Sequence, residues 1–158
     1  MKHIVVTGVH GFIGRHVASL LAYDASVNVM PVDRGTTSSD VRTMLSSADA
    51  VIHLAGVNRP RDEHEFEVGN AQLTRSLTEE LLASGRKATL VFASTSRAEE
   101  DTPYGRSKLA AEAAVRYYGE RSGASVSIYR LPNVFGNLHE QMPQSRFRLS
   151  AGFVVRSP

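Results

Sequence analysis

Short apolar runs alternate along this chain with longer stretches whose apolar residues recur at helical spacing. Ile4, Val5 and Val6 form the first run, and residues 12–21 follow with a helical pattern. Runs at 26–33, 49–56, 88–93 and 124–130 read as further strands, and 40–47, 66–84 and 101–119 as helices. Leu73, Leu77, Leu81 and Leu82 give the 66–84 helix its apolar stripe, Gly85 closes it, and Pro103 suits the first turn of the last helix. Residues 49–56 are nearly all apolar, as in a strand covered on both faces. Strand and helix alternate without internal repeat, which predicts a parallel, doubly wound α/β domain. After Gly136 the pattern fades, and 137–158 offers no element beyond a strand near Phe153, Val154 and Val155.

Composition narrows the picture by exclusion. The 158 residues are 42% hydrophobic and 22% charged, ordinary values for a globular domain with its own core. The sequence pI of about 9.2 looks basic, but the formal charge is only +2 and the charges are interspersed, so no nucleic-acid partner is expected. The absence of cysteine removes disulfide and thiolate chemistry. No apolar run approaches the ~20 residues of a membrane span, and Met1-Lys2 leads directly into the first strand, leaving no room for a signal peptide. The expectation is a cytoplasmic protein, without a membrane contact and without a metal site.

The stretch with the clearest chemistry is Thr7-Gly8-Val9-His10-Gly11-Phe12-Ile13-Gly14, between the first strand and the first helix. A glycine turn there presents backbone N–H groups beside the positive end of the helix dipole, a cradle for the pyrophosphate of a dinucleotide. Gly8 suits the tight turn, Gly11 the approach of the phosphates and Gly14 the packing of helix on strand. Asp33 lies where an acid binds a ribose hydroxyl and favours NAD, while Arg34 can hold the extra phosphate of NADP. The two argue opposite ways. Leu54, Ala55 and Gly56 end the third strand with residues that let a cofactor lie against the backbone. His53 could be a ligand or base, but reads more simply as a packed histidine. Asn70 is a polar position within a helix, on its own pattern a surface or capping amide.

Tyr104 and Lys108, four residues apart, share a helix face. An ammonium beside a phenol favours the phenolate, so the pair can exchange a proton with a sugar or alcohol oxygen. A hydroxyl from the preceding strand end, Thr95 or Ser94, could hold the same oxygen. The order glycine loop, apolar strand with small residues at its end, hydroxyl cluster and Tyr–Lys pair favours catalysis over a surface pair.

These segments, with Arg130-Leu131-Pro132-Asn133-Val134-Phe135-Gly136, resemble the extended short-chain dehydrogenase/reductase family of nucleotide-sugar epimerases, dehydratases and reductases. The likeness covers residues 2–136. His53-Leu54-Ala55-Gly56-Val57-Asn58-Arg59-Pro60, Glu65-Phe66-Glu67-Val68-Gly69-Asn70 and Asp101-Thr102-Pro103-Tyr104-Gly105 are similar, more closely, to CapF-type enzymes of capsular and O-antigen polysaccharide synthesis.

The resemblance implies a Rossmann-type fold, and an NADPH-dependent reductase of a UDP-linked 4-keto-6-deoxy-N-acetylhexosamine. Tyr104 would protonate the C4 oxygen, Lys108 would bind the nicotinamide ribose, Thr95 would be the catalytic hydroxyl, and Asn70 the helix asparagine near the active site. Asp40 and Val41 fall where the family often contacts adenine, although Asp40 could equally cap a helix. Leu131 joins the cofactor set. Asn133 would approach the nucleotide of the substrate, and Asn58 and Arg59 would line the sugar pocket. Arg34 favours NADP, with Asp33 keeping NAD as the alternative.

Family members continue into a smaller substrate domain, and CapF-type enzymes add a cupin-like metal-binding domain. Neither pattern is present here, so 1–136 reads as the cofactor half and 137–158 as an irregular or truncated start of the substrate region. The resemblance also implies a homodimer through the helices near 72–82 and 104–118. The rival readings are an NAD-dependent epimerase or dehydratase and a non-catalytic dinucleotide-binding domain. Ser96 and Arg97, where a dehydratase usually has an acid after the catalytic hydroxyl, count against dehydration.

Overall fold

β-branched side chains favour extended backbone, and they dominate β1 (Lys2–Thr7), β2 (Val27–Val32), β3 (Ala50–His53) and the start of β5 (Val126–Leu131). With β4 (Thr89–Thr95) these strands form one parallel sheet in the order β2-β1-β3-β4-β5. A short β6 (Val154–Arg156) runs antiparallel beside β5, close to where a strand is expected in the last residues. The structure is a computed structural model, and it describes residues 1–134 and 154–156. The remaining expectations for 137–158 lie outside the described residues.

The chain leaves β1 toward β2 on one side and returns to β3 on the other. The carboxyl ends of β1 and β3 therefore form the switch point of the sheet, where ligands bind in such folds. Helices α1 (Phe12–Ala22), α2 (Ser38–Ser47), α4 (Leu73–Ala83) and α5 (Pro103–Ser122) connect the strands. A short turn, α3 (His64–Phe66), leads into a π-helical segment, Glu67–Gln72, which runs straight on into α4.

The core lies between the sheet and α2, α4 and α5. Val5, Val51, Leu90, Phe92 and Ile128 meet Leu45, Leu77, Leu81, Ala111, Val115 and Tyr118 there. α1 takes no part in that cluster and packs against β1 and β2. Burial consequently alternates along β3 and β4, with one face fully covered and the other half-covered. This differs from the expected strand covered on both faces. Among the described residues no helix is long and apolar enough to cross a membrane.

Local chemistry sets the boundaries. β3 is shorter than its apolar run because the Thr7 side chain replaces a ladder partner, accepting from the Ala55 N–H at 3.2 Å. Thr102 caps α5 by accepting the Gly105 N–H at 3.0 Å, with Pro103 in the first turn. α5 runs past Gly119 to Ser122, capped by Gly123. The π-helical segment is not foreshadowed by the leucine spacing. Its physical reason is polar: the Thr74 hydroxyl donates to the Asn70 carbonyl at 2.7 Å, and the Asn70 side chain is held elsewhere.

Tyr118 is fully buried and its hydroxyl donates to the Ala88 carbonyl at 2.7 Å, pinning α5 to the start of β4. Tyr118→Phe should cost about 1–3 kcal/mol in urea unfolding, because it leaves that carbonyl unpaired. A wild-type midpoint would contradict the bond.

Candidate active site

The glycine loop is shaped by two steric demands. Gly8 has φ of 71°, and a Cβ there would lie 2.7 Å from the Ala55 nitrogen. A Cβ on Gly14 would lie 2.1 Å from the Gly8 carbonyl oxygen, so only glycine lets the first turn of α1 close onto the loop. Gly11 is the N-cap of α1 in extended conformation, with no side-chain cap and no acid in the first turn. The positive end of the helix is thus bare where a phosphate group would approach. Backbone and steric fit here suit a dinucleotide.

A cleft of about 920 Å³ opens over this loop. Gly8, His10 and Gly11 line it from one side, Asp33, Arg34 and Val41 from another, and Leu54, Ala55 and Gly56 form its floor. Asp33 accepts from the Gly35 N–H at 2.8 Å and pairs with the His10 Nε2 at 3.0 Å. These two bonds, Gly35 first, hold its carboxyl below the usual range. Asp40 lies outside the cleft. Its carboxylate accepts from the Thr37 hydroxyl at 2.8 Å while its N–H donates back to Thr37 at 3.2 Å, so it takes part in the cap of α2, beside Ser38 and Val41 of the cleft wall.

A second cleft of about 700 Å³ shares Gly8, Gly11, Leu54 and Gly56 with the first. Phe12, Ile13 and Gly14 border it at the start of α1, and Thr95, Tyr104 and Lys108 stand opposite. Asn58, Arg59, Leu131 and Asn133 also line it. The sequence-predicted residues apart from Asp40 therefore converge on two adjoining clefts at the switch point. Glu63 and Arg97 line the second cleft as well and were not foreseen. Among the described residues no group of three or more His, Asp or Glu side chains could hold a metal ion.

Each candidate has a defined setting. Thr95 accepts the Arg97 N–H at 3.2 Å, an arrangement that leaves its own proton to be donated. Ser94 lines the same cleft, but its hydroxyl proton is already engaged, donating to Glu112 at 2.6 Å. Tyr104 sits in the first turn of α5, its ring 5.4 Å from that of Phe66. Lys108, one turn on, is buried, and its Nζ donates to the Ala93 carbonyl at 2.7 Å. Burial lowers its pKa to about 8, against an opposing pull from Glu112.

Asn70 is neither a surface nor a capping amide. It is buried, and its carboxamide grips the backbone of Val57 in both directions, at 2.8 and 2.9 Å. It also donates to the Ser107 hydroxyl at 3.0 Å, which in turn donates to the Tyr104 carbonyl at 2.8 Å. The amide fixes the loop after β3 to the turn that carries Tyr104. A missed residue, Glu112, does similar work deeper in. It is fully buried and accepts from Ser94, from Arg130 at 2.8 and 2.9 Å, and from Arg116 at 3.1 Å. Burial alone would raise its carboxyl, but these donors outweigh burial and hold it below the usual range. The signal was its spacing, four residues beyond Lys108 on the same face.

A parallel sheet with a glycine loop at its switch point defines a Rossmann-like α/β domain. Residues 4–152 match the NAD dependent epimerase/dehydratase family, and the chain belongs to that family. It is 42% identical over 133 residues to the UDP-2-acetamido-2,6-beta-L-arabino-hexul-4-ose reductase of Pseudomonas aeruginosa, a match covering 84% of this chain and 36% of that protein. CapF, a capsular polysaccharide assembling protein of Staphylococcus aureus, superimposes with a TM-score of 0.75 and 35% identity, over 92% of this chain and 39% of its own. RMD of Pseudomonas aeruginosa, solved in complex with NADPH, gives a TM-score of 0.69 and 27% identity, over 84% of this chain and 55% of its own. The chain thus spans about two fifths of the length of the first two relatives.

His53 is fully enclosed, with Nδ1 2.6 Å from the Thr7 hydroxyl and Nε2 3.0 Å from that of Thr74. Both nitrogens are engaged, which supports the packed reading over the catalytic one. Burial first, and the Lys108 charge second, push its pKa down to about 3. In the unfolded chain an imidazole titrates near ~6.5. Between these values the unfolded state binds the extra proton, so stability rises with pH. The contribution is complete above about pH 6.5 and is lost as pH falls toward about 3. His53→Gln should flatten the pH dependence of urea unfolding across that window. Equal slopes in variant and wild type would contradict the buried neutral imidazole.

Proposed function

We propose that this chain is the cofactor-binding and catalytic half of a cytoplasmic, NADPH-dependent reductase. Its substrate is a UDP-linked 4-keto-6-deoxy-N-acetylhexosamine used in capsular or O-antigen polysaccharide synthesis. The observation that carries this reading is the convergence of Thr95, Tyr104 and Lys108 on a cleft that opens directly into the glycine-loop cleft. The named reductase, CapF and RMD support the reaction class, and the RMD complex supports NADPH. When bound, NADPH supplies the hydride.

The chain's own residues do the rest. Gly8, Gly11 and the bare start of α1 receive the pyrophosphate, and Arg34 meets the 2′-phosphate. Thr95 donates a hydrogen bond to the C4 oxygen of the sugar. Tyr104 gives that oxygen its proton as the carbonyl becomes an alcohol. The Lys108 ammonium stabilises the phenolate left behind and holds the nicotinamide ribose. Asn58 and Arg59 face the sugar and Asn133 the nucleotide, with Glu63 and Arg97 on the same cleft wall. Residues 1–136 form the cofactor half of the protein. Asp33 is the observation that favours NAD, and with it an epimerase. Its carboxylate is already bonded to Gly35 and His10, which supports NADPH instead.

The partner proposed is a second copy, seated on α4 and α5. Leu73, Leu109 and Tyr117 are 41%, 41% and 54% exposed there. Two alanines of α5 divide, Ala111 entering the core and Ala113 lying exposed.

A paired fluorescence titration of the purified chain with NADPH and NADH should show at least a tenfold preference for NADPH, about 1.4 kcal/mol. Preference for NADH would move the assignment to the epimerase reading, and binding of neither would overturn it. Tyr104→Phe should lower turnover of a UDP-4-keto sugar by about 100-fold or more while leaving NADPH affinity unchanged. Undiminished turnover would remove Tyr104 from the mechanism.

A further inference from the structure

Lys108 is only 6% exposed, and a buried ammonium needs compensation for its lost hydration. The nearest acid along its own helix does not bond to it. Glu112 gives one carboxylate oxygen to Ser94 and the Arg130 Nε, and the other to Arg116 and the Arg130 Nη2. What Lys108 does receive comes from two consecutive residues of β4. The Ala93 carbonyl accepts from Nζ at 2.7 Å. The ring of Phe92 lies beneath Nζ, its centroid 4.2 Å away.

We propose that Phe92 is a positioning residue for Lys108, the negative face of its ring holding the buried ammonium at the end of β4. The ring can do this because it is itself immobilised. It is fully buried and stacks on His53 with centroids 5.5 Å apart and planes 22° from parallel. His53 is clamped by Thr7 and Thr74 and is neutral, so β3 brings no second cation to the ring. The titratable groups around Lys108 are then Glu112 and Tyr104 on its own helix and His53 across the ring, with the neutral Asn70 amide toward Gly56. The same strand end presents Thr95 three residues later, so Phe92 also fixes the spacing of the ammonium from the hydroxyl. The importance of that spacing rests on the role given to Lys108 above.

Graded fluorination tests this without changing the shape of the core. Phe92 is replaced by 4-fluoro-, 3,5-difluoro- and 3,4,5-trifluorophenylalanine, which progressively withdraw charge from the ring face. The chain has three lysines, Lys2, Lys87 and Lys108, so 13Cε-lysine NMR follows each ammonium separately. The Lys108 proton affinity should weaken in order of fluorination, about tenfold for the trifluoro ring. Lys2, Lys87 and the urea midpoint should not move. NADPH affinity at pH 8 should fall in the same order. A Lys108 titration indifferent to fluorination would overturn the proposal, as would a shift in all three lysines together. Lys108→Met separates the two readings. If it leaves NADPH affinity intact while Lys108 follows the fluorine series, the ring contact stands and the cofactor role of Lys108 falls.

Discussion

The cleft depends on one buried imidazole. His53 stands at the end of β3 with Thr7 of β1 on one nitrogen and Thr74 of α4 on the other. The hydroxyl protons give the chain of bonds a direction. Ala55 N–H donates to Thr7, Thr7 to His53 Nδ1, His53 Nε2–H to Thr74, and Thr74 to the Asn70 carbonyl. Every member is satisfied, and a fully satisfied network in a low-dielectric interior is stiff. The strand that ends in the glycine loop, the strand that floors the cleft and the helix that carries Asn70 are therefore set relative to one another by side chains as well as by the sheet.

From Asn70 the constraint passes to α5, which carries Tyr104 and Lys108. Its amide holds Val57 and Ser107 together, and Ser107 bonds to the carbonyl of Tyr104. Lys108 is fixed from the opposite direction, by the end of β4. Within the π-helical segment the Asn70 carbonyl accepts both the Leu73 N–H and the Thr74 hydroxyl, while its side chain is directed at the loop. Local widening of a helix at a functional position is a recurrent pattern.

What the sequence disclosed and what it concealed follow the same physical line. The glycine loop and the Tyr104–Lys108 pair are short-range features, so their spacing alone carries their geometry. The parallel, doubly wound class followed from the strand–helix alternation, whereas the strand order and the second cleft emerge only in the folded chain. Asp40 was open to two readings because a carboxylate at a helix start serves a cap as readily as a ligand, and the structure shows the cap. Thr74, Glu112 and Phe92 stayed silent because their meaning lies in partners brought close only by folding. Thr74 reads as a polar interruption of a leucine stripe, Glu112 as a surface charge and Phe92 as one more core aromatic. Only Glu112 left a trace, in its helical spacing from Lys108.

Glu112 has a consequence beyond electrostatics. It reaches Ser94 and Arg130, each 18 residues away, whereas the contact of Thr7 with His53 spans 46. Closing the longer loop costs about 0.8 kcal/mol more in chain entropy. The β4–α5–β5 unit, bearing Thr95, Tyr104 and Lys108, is thus a local assembly, while the floor of the glycine-loop cleft is a long-range one. The two sides of the cleft differ in how much of the chain must be gathered before each exists.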